Sequence, residues 1–310
     1  MRANVIPFPR LIGYKAAVTV LAHLSDPHLG PLPRFTALEM LSKRGLGAIN
    51  WYRRRRRWHD MAVLDQIVTD VVDEEPDAIA VTGDLTNLGL EAEFLPAAAF
   101  LGRLGPASKV AAIPGNHDAY VRRIVGAPSR VWASHMSCDD GGAGFPYVRR
   151  HGLIALIGLS SAVATAPLAA TGEVGPAQRA ALAPLLRRLK AEGLFRVVTV
   201  HHPVAEDGTP WLRRLRDADA LRAVLAAEGA ELVLHGHNHE PTRHAVPGPN
   251  GPIPVIAVPS CSAGPTSHEP PAAYNLYEVS GGPGGWSCEG VTRGLTPDGT
   301  IAETDRFRVA

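Results

Sequence analysis

The stretch Lys109-Val110-Ala111-Ala112-Ile113-Pro114-Gly115-Asn116-His117-Asp118 decides how the chain is read. Its short apolar run predicts a buried strand, and the Pro-Gly pair ends that strand in a turn. The turn carries an amide, an imidazole and a carboxylate in succession. Because α/β proteins gather their chemistry at strand ends, one polar end prompts a search for others. Four more take the same form: residues 16–24 run into Ser25-Asp26-Pro27-His28, 77–82 into Gly83-Asp84-Leu85-Thr86-Asn87, 195–200 into His201-His202-Pro203, and 231–234 into His235-Gly236-His237-Asn238-His239.

Helical spacing lies between these strands. It covers 59–74, where Met61, Leu64, Ile67, Val68, Val71 and Val72 recur on one face, and also 91–104, 175–192 and 211–228. A hairpin is predicted around His151-Gly152, and short strands at 253–258, 272–279, 286–291 and 306–309. Strands alternating with helices predict an α/β sheet, and the strand-only end predicts a second sheet or an extension packed beside it. Residues 1–310 read as one domain, with an insertion at about 31–60 and an irregular cover over the site at about 119–144.

The totals narrow the function classes. A chain of 310 residues with 45% hydrophobic content can bury a large core, and 31 Lys+Arg against 30 Asp+Glu leave no global field to draw it onto nucleic acid. Cys138, Cys261 and Cys288 form neither a disulfide framework nor a zinc motif, which fits a reducing cytoplasm. Residues 1–14, with Pro7 and Pro9, lack the apolar core of a signal peptide, and no run approaches the ~20 apolar residues of a membrane-spanning helix. The expectation is a cytoplasmic protein, at most peripheral on the inner face of the membrane.

Asp26, His28, Asp84, Asn116, His201, His237 and His239 make a ligand set of intermediate hardness. Such a set suits Mn, Fe, Zn, Co or Ni better than Ca or Mg, and its size suits two divalent ions. On an extended backbone Asp26-x-His28 and His237-x-His239 would each aim alternate side chains the same way. Among 13 histidines some will fall near an Asp by chance, but the ordered placement at strand ends argues against accident. His202 reads as a neighbour supporting His201, and His23, His135 and His235 read as packing. Two cations about 3.5–4 Å apart would acidify a shared water, so that a hydroxide exists near neutral pH.

Asp26-x-His28, Gly83-Asp84, Gly115-Asn116-His117-Asp118, His201-His202-Pro203 and Gly236-His237-x-His239, in that order, resemble the five-block signature of the calcineurin-like metallophosphoesterase superfamily. The resemblance spans residues 26–239 with no ligand missing. It implies an α/β fold of four αββα layers, a double β-sandwich flanked by helices, around a binuclear metal centre in which manganese is the leading choice. By its motifs Asp26, His28 and His239 would hold one metal and Asn116, His201 and His237 the other, with Asp84 bridging. His117 would be the protonated donor to the leaving group, with Asp118 orienting it, so both are candidate catalytic residues.

The segment 43–58 sets apolar groups (Leu46, Ile49, Trp51, Trp58) among Lys43, Arg44 and the run Arg53, Arg54, Arg55, Arg56, Arg57. A solvated helix face is the plain reading of such a charge run; the sharper one is an interfacial segment for anionic head groups. In this it is similar to inserts of lipid-processing metallophosphoesterases, such as intracellular bacterial phospholipases C and UDP-diacylglucosamine pyrophosphatases. The leading expectation is a metal-dependent phosphodiesterase, a hydrolase of phosphoric esters, acting on a phospholipid or lipid-linked phosphodiester. A soluble cyclic-nucleotide or general phosphodiesterase is the alternative, and a non-catalytic interaction module on the same fold ranks third.

Overall fold

The computed structural model describes residues 17–206 and 208–310. The stretch 1–14 and the predicted strand start at residue 16 lie outside the described residues. Strand β1 (Val18–Leu24) leads into a helical segment built of α1 (Ala37–Met40), α2 (Lys43–Asn50), a π-helical turn (Trp51–Arg55) and α3 (Arg56–Trp58). Then come α4 (Met61–Asp73), β2 (Ala78–Val81), α5 (Phe94–Leu104), β3 (Val110–Ala112) and α6 (Ala127–Val131). The predicted hairpin forms from β4 (Tyr147–His151) and β5 (Ile154–Gly158), before α7 (Pro176–Ala191), β6 (Phe195–Thr199), α8 (Ala218–Glu228) and β7 (Leu232–His235). Five strands finish the chain: β8 (Arg243–Val246), β9 (Ile253–Ala257), β10 (Ala273–Gly282), β11 (Gly285–Leu295) and β12 (Ile301–Arg308).

Two six-stranded sheets result, in the orders β12-β11-β10-β1-β2-β3 and β4-β5-β6-β7-β9-β8. The closing strands neither form a sheet of their own nor pack beside one. β8 and β9 complete the second sheet, while β10 pairs antiparallel with β1 from Val18↔Ser280 to His23↔Asn275 and so extends the first. Period-two alternation sorts the side chains into layers. Ile154, Leu156, Phe195, Val197, Leu232 and Leu234 enter the large core shared with β1, β2, α4 and α5. Their alternates Ala155, Ile157, Val198 and Val233 pack on Leu182 and Leu186 of α7 and on Leu221 and Leu225 of α8. The result is the expected sandwich, helices outside and two sheets within.

Two segments differ from their sequence reading. Residues 211–217 are turn rather than the start of α8, because the Arg213 carbonyl is used by His237 (2.8 Å) and the Asp217 carboxylate accepts from the Val174 and Gly175 amides (3.0 and 2.8 Å). The segment 119–144 is mostly packing rather than cover. Ile124, Ala127, Trp132 and Met136 enter the large core, and only Tyr120 reaches the site, its ring stacked 5.4 Å from that of His117. The cover comes from residues 37–58 instead.

Candidate metal centre

β1, β2 and β3 run parallel in one sheet and β5, β6, β7 and β9 in the other, so their carboxyl ends share a rim. All seven predicted ligands stand on it. The loops are cross-tied by backbone bonds from Asp26 N–H to the Gly83 carbonyl (3.0 Å), His28 N–H to Asp84 (3.1 Å) and Gly236 N–H to His201 (3.1 Å). The Asp-x-His and His-x-His pairs are not extended as expected. Asp26, His28, Asp84, His237 and His239 have φ of 54°, 40°, 54°, 73° and 58°, and make up five of the seven non-glycine residues with positive φ among those described. Each such residue costs of order 1–3 kcal/mol, and strain gathered at one place is the mark of a site that the rest of the fold over-determines. Gly115 and Gly236 are required by contact: a Cβ would lie 2.2 Å from Asp84 Oδ1 at the first and 2.3 Å from Asp26 Oδ2 at the second.

The imidazoles are oriented from behind. A carbonyl can only accept, so the ring nitrogen facing it carries the proton. His28 Nδ1 donates to the Thr86 carbonyl (3.2 Å), His201 Nδ1 to Thr82 (2.7 Å) and His237 Nε2 to Arg213 (2.8 Å), while His239 Nδ1 meets Glu269 Oε2 at 2.8 Å. Each ring therefore turns its other nitrogen inward. His28 Nε2 and His239 Nε2 are 3.2 Å apart, with Asp26 Oδ1 3.3 Å from the latter. His201 Nε2 lies 3.2 Å from Asn116 Oδ1 and 3.4 Å from Asp84 Oδ2, and His237 Nδ1 is 2.9 Å from Asn116 Oδ1. Separations of this size match the edges of a ligand shell with bonds of about 2.0–2.2 Å, and buried Asp26 Oδ1 has no hydrogen-bond donor. The donor set thus fits divalent cations. Among the described residues three groups of possible ligands emerge: Asp26, His28 and His239; Asp84, His201 and His237; and His28, Asp84 and His117.

The electrostatics also favour positive charge here. Burial alone lowers His201 and His239, but Asp84 outweighs it for the first and Asp26 for the second, and both rise to about 9. His117 goes the other way. Burial, with the Arg55 guanidinium next, lowers it to about 3, against the protonated form a donor needs. Asp118 does not orient its ring either. The His117 Nδ1–H is held by the Asn87 carbonyl, whereas the Asp118 carboxylate accepts from the amides of Gly115 (2.9 Å) and Thr86 (2.9 Å) and from the Thr86 hydroxyl (3.0 Å). Asp118 pins the β2 and β3 loops together, and burial, with Asp84 next, raises it to about 7. His202 is engaged at both nitrogens, by Ser161 Oγ and the Ala170 carbonyl, and backs His237 at a ring separation of 4.3 Å.

The basic segment divides in two. Lys43 bonds to Thr165 Oγ1 (2.8 Å) and the Ala169 carbonyl (3.1 Å), Arg44 is buried against the Leu88 and Gly89 carbonyls, and Trp51 is only 7% exposed. Arg55 turns into the centre. These four are withdrawn from the outward, membrane-facing set expected from sequence, because each is committed to the protein. Arg53, Arg54, Arg56 and Arg57 stay exposed, with Trp58 half-buried. Sequence reasoning also missed Glu269 behind His239 and His59, whose ring lies 4.7 Å from that of His28. Neither stands at a strand end, so no motif marks it.

A family model described as calcineurin-like phosphoesterase matches residues 19–241. A dimetal phosphatase from Danio rerio superposes with a TM-score of 0.59 at 13% identity, covering 94% of this chain and 98% of that one. A purple acid phosphatase from yellow lupin (Lupinus luteus) seeds gives 0.58 at 12% identity, with 95% and 54% covered, and a 5'-nucleotidase precursor from Thermus thermophilus gives 0.53 at 15%, with 92% and 56% covered. The chain spans about half the length of the lupin and Thermus proteins, and at these identities the likeness is one of fold. No curated protein sequence matches the chain. With the family model covering well over half of the sequence, and every strand-end group from Asp26 to His239 inside it, the chain belongs to the calcineurin-like phosphoesterase family.

Proposed function

We propose that the chain is a two-metal phosphodiesterase that takes its phosphodiester from a lipid at an anionic membrane surface. Asp26, His28 and His239 would hold one cation and Asn116, His201 and His237 the other. Asp84 Oδ2, 3.4 Å from His201 Nε2 and 3.8 Å from His28 Nε2, faces both sets, while its Oδ1 is fixed by the His117 amide at 2.7 Å. Bound divalent ions supply a hydroxide near neutral pH and neutralise the phosphoryl oxygens, and manganese suits the ligands. His117 presents Nε2 to the leaving oxygen. The proton it passes there is first taken up from solvent at that nitrogen, once the Arg55 N–H that faces it at 3.0 Å has turned to the substrate anion, beside which the basicity of Nε2 rises.

The observation that carries the lipid reading is the outer face of residues 37–58. Leu38, Leu41, Leu46 and Ile49 are exposed, Leu41 to 86%, although their helical spacing would ordinarily bury them. Apolar side chains rimmed by arginines are what an interfacial segment needs. A cavity of about 860 Å³ between Arg53, Arg54, Arg57, Trp58, Thr266 and His268 adds a basic recess of head-group size. Among the described residues no helix is long and apolar enough to cross a membrane.

The test is manganese-loaded protein assayed against phosphatidylcholine, phosphatidylethanolamine, UDP-diacylglucosamine, cyclic nucleotides and a chromogenic diester, with anionic-vesicle binding alongside. Turnover of a dispersed lipid that falls when Leu38, Leu41, Leu46 and Ile49 become serine, with chromogenic turnover kept, supports the reading. Unchanged vesicle binding and lipid turnover in that variant would leave the soluble phosphodiesterase in its place.

A further inference from the structure

We infer that Arg55, the middle arginine of the run, is a phosphoryl-binding residue that the inserted segment delivers into the metal centre. The inference rests on the two-metal phosphodiesterase reading and is independent of the lipid one. Arg55 Nη1 is 3.0 Å from His117 Nε2, and Nη2 is 3.0 Å from His28 Nε2. The fork therefore spans the side where a cation would be held and the side where the leaving group would depart. A phosphoryl group undergoing displacement must lie between those two sides. His28 cannot give its single Nε2 lone pair both to an arginine N–H and to a cation, so once His28 ligates, Nη2 is released to the anion sharing the centre. Two parallel N–H donors match phosphoryl oxygens in geometry and charge.

The backbone explains why this arginine alone points inward. The Arg56 amide bonds to the Trp51 carbonyl five residues back, a π-helical step that offsets the side chains relative to an α-helix. One turn on, at i+4, His59 faces the same way, and its Nδ1 is held by Ser262 Oγ at 2.9 Å. Three further bonds fasten the turn to the loop before β10: Asp60 N–H to the Ser262 carbonyl, Gly264 N–H to Trp58, and Thr266 Oγ1 to Arg57, each at 2.7 Å. Arg55 is thus presented from a stitched turn, which lowers the ordering cost of binding an anion.

The experiment measures inorganic phosphate binding to manganese-loaded protein by calorimetry, with manganese content and melting temperature determined on the same samples. Arg55→Gln is expected to bind phosphate about 10- to 100-fold more weakly while keeping wild-type manganese. Arg55→Lys, which keeps the charge and loses the fork, should fall in between and carries the test if Arg55→Gln does not fold. Arg103→Gln, which removes a surface arginine paired with Asp65, should match wild type. Wild-type phosphate affinity in the Arg55 variants, or loss of manganese from them, overturns the assignment. Wild-type protein that takes up no manganese overturns the metal centre and the clamp together, whereas failure to bind vesicles touches neither.

Discussion

The rim of strand ends and the segment 37–58 meet at one centre but hold their groups there by different means. On the rim, parallel strands buried on both faces fix each loop, and carbonyls behind the imidazoles fix each ring. Five residues there tolerate left-handed backbone, because the surrounding core and cross-strand bonds leave no alternative. The segment 37–58 packs few apolar groups inward, Ala48 and Trp51 among them, and exposes its leucines. It is held by polar attachments: Lys43 to the 165–169 loop, Arg44 to the Leu88 and Gly89 carbonyls, and residues 57–60 to the 262–266 loop. On the function proposed above, the rim would position the chemistry and the segment a substrate. Variants in the first should therefore stop turnover of any diester, and variants on the outer face of the second should affect only a membrane-borne one.

The largest effect is expected from Asp84→Asn, since one carboxylate faces both ligand sets. Hydrolysis of a chromogenic diester should fall by roughly 10³-fold, and elemental analysis should show less bound manganese. Full activity and full metal would break the contrast at its root. His117→Ala should lower turnover by about 10²-fold, within the range of proton-transfer groups, while leaving manganese content intact. A parallel loss of metal would place His117 among the ligands, as its grouping with His28 and Asp84 allows.

Glu269→Gln sharpens the comparison from behind the rim. The carboxylate holds His239 Nδ1 at 2.8 Å, and loss of such a partner weakens metal affinity about 10- to 100-fold, readable by competition with a chelating dye. Replacing Leu38, Leu41, Leu46 and Ile49 with serine should weaken binding to anionic vesicles roughly tenfold. Stability should move little, because these side chains are exposed rather than packed in the core. The smallest effect belongs to a single outward arginine. Arg54→Gln should cost about 1 kcal/mol of vesicle affinity, and raising the salt should erase the difference. An Arg54→Gln effect on chromogenic turnover would contradict the division of faces.

The strand-end groups around the centre were legible because each follows a recognisable apolar run of the kind that reads as a buried strand. Boundaries were close for β2, β3, β6 and α4, where apolar periodicity and burial coincide. Legibility failed where polar contacts overrode pattern. Trp211 and Leu212 continue a helical period, yet the chain turns there so that the Arg213 carbonyl can meet His237. The small, irregular residues of 119–144 resemble a surface cover, yet Trp132 is fully buried and donates to the Phe94 carbonyl at 3.0 Å. In the arginine run nothing local distinguishes Arg55 from its neighbours.

Sequence by itself determined the α/β class, the family and the identities of the groups around the centre, because burial periodicity and strand-end residue types are local properties of the chain. Tertiary structure alone decided which nitrogen each imidazole turns inward, that Asp118 ties loops rather than orienting His117, and that one arginine of the run enters the site while its four exposed neighbours face away. Those outcomes depend on carbonyls and carboxylates brought from elsewhere: Thr86 for His28, Arg213 for His237 and Glu269 for His239. The partner that selects a hydrogen bond is set by what the fold places within 3 Å or so, and that placement depends on the whole chain rather than on adjacent residues.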